Sequence, residues 1–303
     1  MDDQHHSDEE FKLEDFDKLM VGDLAQAEKH LQALLPRAEA LEDRSIYLQI
    51  LSQIALAQAV QRKFDEAHKT LDMAEKKLSP EQHLARVRIL LERGRVFFQE
   101  GNVEAARPLF KQSFELSAAH GFDYHTVNAA HMVPFAAESV EEKIEWNERA
   151  IKLAESSESQ WLGSLYNNVG QAYLEAKQYD KALSCLKKAL EYREAEGYAV
   201  NTRFARWAVA RALRLLNRSD EALPMLLALL DEYDAMVKMG KLDMPKETLP
   251  SVRGLVYEEL AEIGGEKAHI YAGLAYDDLR QDEWFKRLEP DRLERLKRLR
   301  DAS

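Results

Sequence analysis

A chain of 303 residues with a net charge of −12 is poorly suited to general nucleic-acid binding, which works by neutralising phosphates with Lys and Arg. With only 12 glycines and 8 prolines, no Gly/Ser linker and no sustained Val/Ile/Thr alternation, neither a sheet protein nor a string of tethered domains is expected. No apolar run approaches the roughly 18 residues of a membrane span, the opening MDDQHHSDEE is not a leader pattern, and the lone Cys185 leaves no intrachain disulfide and fits a reducing compartment, so a cytoplasmic location is expected.

Taken in chain order, residues 1–10 form an acidic start expected to be disordered. Residues 2–17 carry Asp2, Asp3, Asp8, Glu9, Glu10, Glu14, Asp15 and Asp17 against Lys12 alone. From residue 11 to 281 the pattern Ala-x3-(Phe/Leu/Ala) recurs at Ala27, Ala67, Ala106, Ala182, Ala222 and Ala268, with a degenerate copy at Lys143. The spacings of 40, 39, 37, 39, 40 and 46 residues describe one helical hairpin stacked about seven times. Such an array is quasi-one-dimensional, each repeat contacting its neighbours, so a single continuous all-α solenoid is predicted. Hairpin turns are expected at Val21-Gly22-Asp23, Glu100-Gly101-Asn102, Leu216-Asn217-Arg218 and Gly264-Gly265. Ser79-Pro80-Glu81-Gln82 and Ser139-x-x-Glu142 have the form of capping boxes.

The fourth repeat is irregular. His131 replaces the small residue of the first helix, Pro134 falls inside that helix, and Lys143 and Asn147 stand at the Ala and Phe positions of the second. An interior proline costs about 3 kcal/mol, which predicts a short or kinked helix, either an eroded repeat or a bend at the ligand site. The fifth repeat is the clearest. Tyr166, Val169, Gly170 and Tyr173 fall at i, i+3, i+4 and i+7, one stripe of a helix, and Gly170 and Gly94 are expected to let the first helix approach Ala182 and Ala106 on the second. The segment 239–245, before the last repeat, is an inserted connection, either a cover over one mouth of the groove or a spacer, and is read as a spacer. Residues 282–303 end the chain as a basic helix whose Trp284, Phe285, Leu288, Leu293, Leu296 and Leu299 are expected to cover the last apolar face. The alternative is that this basic end attracts the acidic start of another copy, giving weak head-to-tail self-association.

Tyr166-x2-Val169-Gly170-x2-Tyr173 followed by Ala182-x3-Leu186 resembles the tetratricopeptide repeat (TPR) pattern, and weaker copies extend the resemblance over roughly residues 11 to 281. The repeats exceed the usual length of about 34 residues; together with ALEYREAEG at 189–197 this resembles the kinesin light chain type and the long-repeat bacterial TPR regulators. The resemblance implies a right-handed superhelical solenoid whose concave face, lined by the first helices, binds a protein or peptide. Counting positions from the motifs, the candidate peptide-binding residues are Arg88, Arg95, Asn128, Asn167, Asn168, Gln171, Trp207, Arg211, Arg253 and Tyr257. Arginines offer planar forks to carboxylates, amides bond a peptide backbone, and Trp207 and Tyr257 are apolar anchors, so an extended or helical acidic segment is the expected ligand. Asn168 matches the asparagine with which peptide-binding members of the family hold a ligand, while the lysine-containing clamp for chaperone tails is not reproduced. The same resemblance leaves open a peptide-responsive signalling regulator whose superhelix changes shape on binding. No catalytic residue, cofactor or metal is predicted: HExxH and a phosphate-binding glycine loop are absent, and His125 and His131 are not at i, i+4.

Overall fold

A computed structural model describes residues 24–41, 44–156 and 161–302. The acidic start, its histidines and the turn expected at residues 21–23 lie outside these. Among the described residues there are fifteen α-helices and no strand, and the chain divides into two compact halves at 159/160.

In the N-terminal half, α1 (Leu24–Glu39) precedes three hairpins: α2 (Ser45–Val60) with α3 (Phe64–Lys77), α4 (His83–Glu100) with α5 (Val103–Ala119), and α6 (Asp123–Met132) with α7 (Val140–Ser156). Helix α2 packs against α1, α3 and α4. That explains its composition: with three faces covered, Leu48, Ile50, Leu51 and Ile54 point in different directions and are all buried. Helix α1 is tied to the α2–α3 connection through Glu28, which accepts hydrogen bonds from Gln58 (3.0 Å), Gln61 (2.9 Å) and Lys63 (3.0 Å).

The C-terminal half continues with α8 (Leu162–Glu175) and α9 (Tyr179–Glu196), α10 (Ala199–Leu215) and α11 (Ser219–Met239), α12 (Leu249–Ile263) and α13 (Ala268–Leu279), and ends with α14 (Glu283–Leu288) and α15 (Pro290–Asp301). The turns of four hairpins share a residue of positive φ, at Arg62, Gly101, Lys177 and Asn217. Asn102 then caps α5 by accepting from the Ala105 N–H at 3.2 Å.

The packing motif works one step away from where the sequence suggests. A Cβ at Gly170 would lie 2.6 Å from Leu186, and one at Gly94 2.6 Å from Phe110, whereas the Ala182 carbonyl is 3.5 Å from the former. The glycine thus receives the large residue four positions after the alanine. In the last hairpin Gly254 meets Leu279 at 2.8 Å, so the working pair there is Ala275-x3-Leu279 and not the pair begun by Ala268. The expected cap at Ser79 is also displaced: α4 starts at His83, and Ser79 donates its own N–H to Gln82 (3.0 Å) in a preceding turn. Ser139 does cap α7, accepting from Glu142 N–H at 3.1 Å, while the Glu142 carboxylate reaches back to Glu138 N–H at 2.9 Å.

Pro134 ends α6 as expected, the chain passing into a 3-10 turn at Val133–Ala136. Asn147, in place of the usual Phe, is buried and donates to the Lys143 carbonyl at 2.8 Å. At the C-terminus α15 packs on α13. Phe285, Leu293 and Leu296 are buried, but Trp284, Leu288 and Leu299 are exposed, which corrects half of the expected inner face. Arg292 and Arg295 pair with the buried Glu258, and Arg295 also with Glu262.

Gly170→Ala is expected to lower the unfolding free energy by about 1–3 kcal/mol through overpacking; adding Leu186→Ala should make the two changes non-additive in urea denaturation, because they act on one contact. Removing both Arg292 and Arg295 leaves Glu258 buried without its arginines. A loss of about 3–5 kcal/mol is expected, read by thermal unfolding of the double alanine variant.

Candidate functional site

In the N-terminal half the candidate residues bond one another. Arg95 donates to both Glu92 carboxylate oxygens (2.9 and 3.1 Å) and to Asn128 Oδ1 (2.7 Å), and Gln53 reaches Glu92 at 3.5 Å. Arg88 is only 3% exposed and Asn128 is buried. Of the residues expected to face a ligand, Arg88 and Asn128 are thus enclosed by the packed first helices, while Arg95 is half-buried and bonded to Glu92 and Asn128. Beside them lies a recess of about 340 Å³ lined by Leu56, Arg95, Phe98, Gln99, His131, Met132 and Phe135. Burial, with a smaller contribution from the Arg95 charge, lowers the His131 pKa to about 4.

In the C-terminal half Arg253 makes a two-bond pair with Asp278 (2.7 and 2.9 Å) and lies over the Tyr257 ring, which stacks on Tyr271. Arg211 lies over Trp207, with its Nε 3.5 Å from Glu259, and Arg214 holds the same carboxylate at 2.5 Å. Burial raises the Glu259 pKa against the pull of these arginines. The forks expected to attract an acidic ligand are thus engaged with internal acids.

Helix α8 differs. Asn167, Asn168 and Gln171 are half-buried. Asn167 Oδ1 and Gln171 Nε2, one acceptor and one donor four residues apart on one face, are buried atoms with no hydrogen-bond partner. Asn167 borders a cavity of about 270 Å³ lined by Arg193, Val200, Asn201, Phe204, Ala205, Trp207, Tyr233, Met244, Val252 and Leu255. Trp207 is 6% exposed and donates its indole N–H to the Leu255 carbonyl at 3.2 Å, so it serves as a wall of this cavity and not as a projecting anchor. Met244 comes from the inserted connection, whose Asp243 is held by Arg203 at 2.5 Å. The segment read as a spacer therefore encloses the cavity. The spacing of 46 residues marked the insertion, but nothing in the sequence places it against α10.

A tetratricopeptide repeat family model matches residues 161–231, the stretch from the start of α8 into α11. Residues 161–231 thus match tetratricopeptide repeats. Among solved structures, the apo form of RapI is 16% identical with a TM-score of 0.66, covering 92% of this chain and 76% of its own. Aspartyl phosphate phosphatase F from Bacillus subtilis is 16% identical with a TM-score of 0.61, covering 88% and 70%. A putative kinesin light chain with nearly identical TPR-like repeats from Podosopora anserina is 18% identical with a TM-score of 0.54, covering 67% and 100%. At these identities the likeness is one of fold, an all-α tetratricopeptide solenoid. No match to a curated protein is found. Among the described residues no group of three or more His, Cys, Asp or Glu is placed to hold a metal, and no helix is long and apolar enough to cross a membrane.

Because His131 is harder to protonate folded than unfolded, the unfolded chain takes up more protons between its ordinary pKa of 6.5 and about 4. Stability is expected to fall as pH drops through that window, by about 3 kcal/mol in total from this group. Denaturation at stepped pH, compared with His131→Gln, should show a flatter dependence in the variant.

Proposed function

We propose that this tetratricopeptide protein is a peptide-binding interaction module whose C-terminal half holds an extended segment of a partner protein along α8 and α10. The observation that carries this reading is the unpartnered acceptor and donor of Asn167 and Gln171, buried atoms at the ends of half-buried side chains that can turn outward to meet a ligand. A buried polar atom without a partner costs about 1–3 kcal/mol, and an extended peptide supplies both an N–H and a C=O to relieve it. The resemblance at Asn168 points to the same helix. Backbone recognition of this kind does not select charge, and with Arg95, Arg211 and Arg253 engaged internally the acidic character expected from the arginines has no support; Trp207 acts by shaping the cavity, and Tyr257 through its stack on Tyr271.

A second reading, a signalling regulator that responds to a bound peptide, is favoured by the long coverage of RapI and aspartyl phosphate phosphatase F. It adds a change of shape on binding, which small-angle scattering with and without a selected peptide would detect. The first reading is tested by selecting peptides from a random display library on the intact protein. Asn167→Ala/Gln171→Ala should retain the wild-type circular dichroism and unfolding midpoint while weakening the selected peptides at least about tenfold, the equivalent of about 1.4 kcal/mol. Equal affinity for both proteins would remove α8 from the site.

A further inference from the structure

The cavity beside Asn167 has a chemistry that goes further than backbone recognition. Val200, Phe204, Trp207, Met244, Val252 and Leu255 supply apolar wall, and the Asn167 oxygen is an acceptor without a donor. The space of about 270 Å³ falls just below the roughly 300–1,000 Å³ typical of sites that enclose a whole drug-sized ligand. It suits one large side chain. Its occupant must therefore be apolar, bulky and joined to an N–H group, which describes an aromatic or large aliphatic residue within a peptide.

The inserted connection supplies the other side. Helix α11 ends at Met239, and Gly240 turns the chain with φ 64°. Asp243 then pairs with Arg203, which is only 5% exposed, and Met244 follows directly as a cavity wall before Pro245 and the 3-10 turn Lys246–Thr248 lead into α12. The Asp243 carboxylate is itself 39% exposed. A single ion pair, buried on one side and open to water on the other, thus fixes the segment that walls the cavity.

We propose that this cavity is a side-chain pocket receiving one large apolar residue of the bound segment, whose backbone N–H is donated to Asn167 Oδ1 as that half-buried side chain turns from its buried position toward the cavity, and that residues 240–248 are the flap that holds it there. This rests on the peptide-binding reading above, and adds to it the class of residue recognised and the part that encloses it.

The probes are N-acetyl-phenylalanine amide and, with the same amide groups and no bulk, N-acetyl-alanine amide. Methyl resonances of Met244, Val200, Val252 and Leu255 are followed by NMR in the intact protein. Saturable shifts with the phenylalanine amide, absent with the alanine amide and abolished by Val252→Phe, are expected. Asn167→Ala should weaken the phenylalanine amide about tenfold, and Asp243→Asn should raise its dissociation rate by a similar factor, with folding checked by circular dichroism in each case. Absence of saturable shifts, equal response to both amides, or equally tight binding of indole lacking the amide would overturn the pocket. Library-selected peptides separate the two readings: if they bind wild type and Val252→Phe equally but lose affinity in Asn167→Ala/Gln171→Ala, the α8 reading stands and the pocket falls, whereas loss in neither variant removes both.

Discussion

Three of the hairpins depend on two helix backbones approaching more closely than side chains normally allow. Gly94, Gly170 and Gly254 each leave a space that Phe110, Leu186 or Leu279 fills from the second helix. Because the filling residue stands on a helix that also meets the next repeat, one contact fixes both the crossing inside a hairpin and the surface offered to its neighbour. Protein interiors are close-packed and deform little, so a missing methyl group in one helix and a large side chain in the other set the geometry on which the first helices are displayed.

Polar groups buried by this close packing follow a consistent rule. Glu28, Glu92, Glu258 and Glu259 are all nearly inaccessible and all bonded to Gln, Lys or Arg from elsewhere in their own half. Such pairs offset the cost of desolvation without adding much stability of their own, but they fix which helix faces which. Asn167 and Gln171 differ from these carboxylates: like Gln49, Gln53 and Asn147 each keeps a buried polar atom without a hydrogen-bond partner, but Asn167 also borders the apolar cavity of the C-terminal half. The cavity next to them gives the same surface an apolar component.

The fold was legible because helix periodicity, glycine placement and repeat spacing all register local geometry. Ala67, Ala106, Ala182 and Ala222 are each fully buried where the pattern places them, and Pro134 stops α6 where its missing N–H demands. The last repeat lies seven residues from where the pattern puts it because a pattern that admits Ala at its second position accepts Ala268-x3-Ala272 as readily as Ala275-x3-Leu279, and the fit of Leu279 to Gly254 decides between them. The candidate site was less legible for a different reason. Counting along a helix says which residues share a face, but the burial of Arg88 and the pairing of Arg253 with Asp278 depend on carboxylates brought from other helices. Asn167 and Gln171 are candidates on sequence grounds because they lie on the best-preserved repeat, whereas Val200, Met244 and Val252 belong to no motif and come together only around the cavity.

The hairpin of α6 and α7 breaks the packing rule at both positions at once: a histidine stands where a glycine would admit its neighbour, and a buried asparagine stands where a large apolar residue would fill the gap. Asn147 spends its amide on its own helix, through the Lys143 carbonyl, and so contributes little to holding the two helices together. In a linear array, stability is the sum of such nearest-neighbour interfaces, and local opening follows the weakest of them. Local opening of the N-terminal half is therefore expected to begin at α7, ahead of α2 to α5.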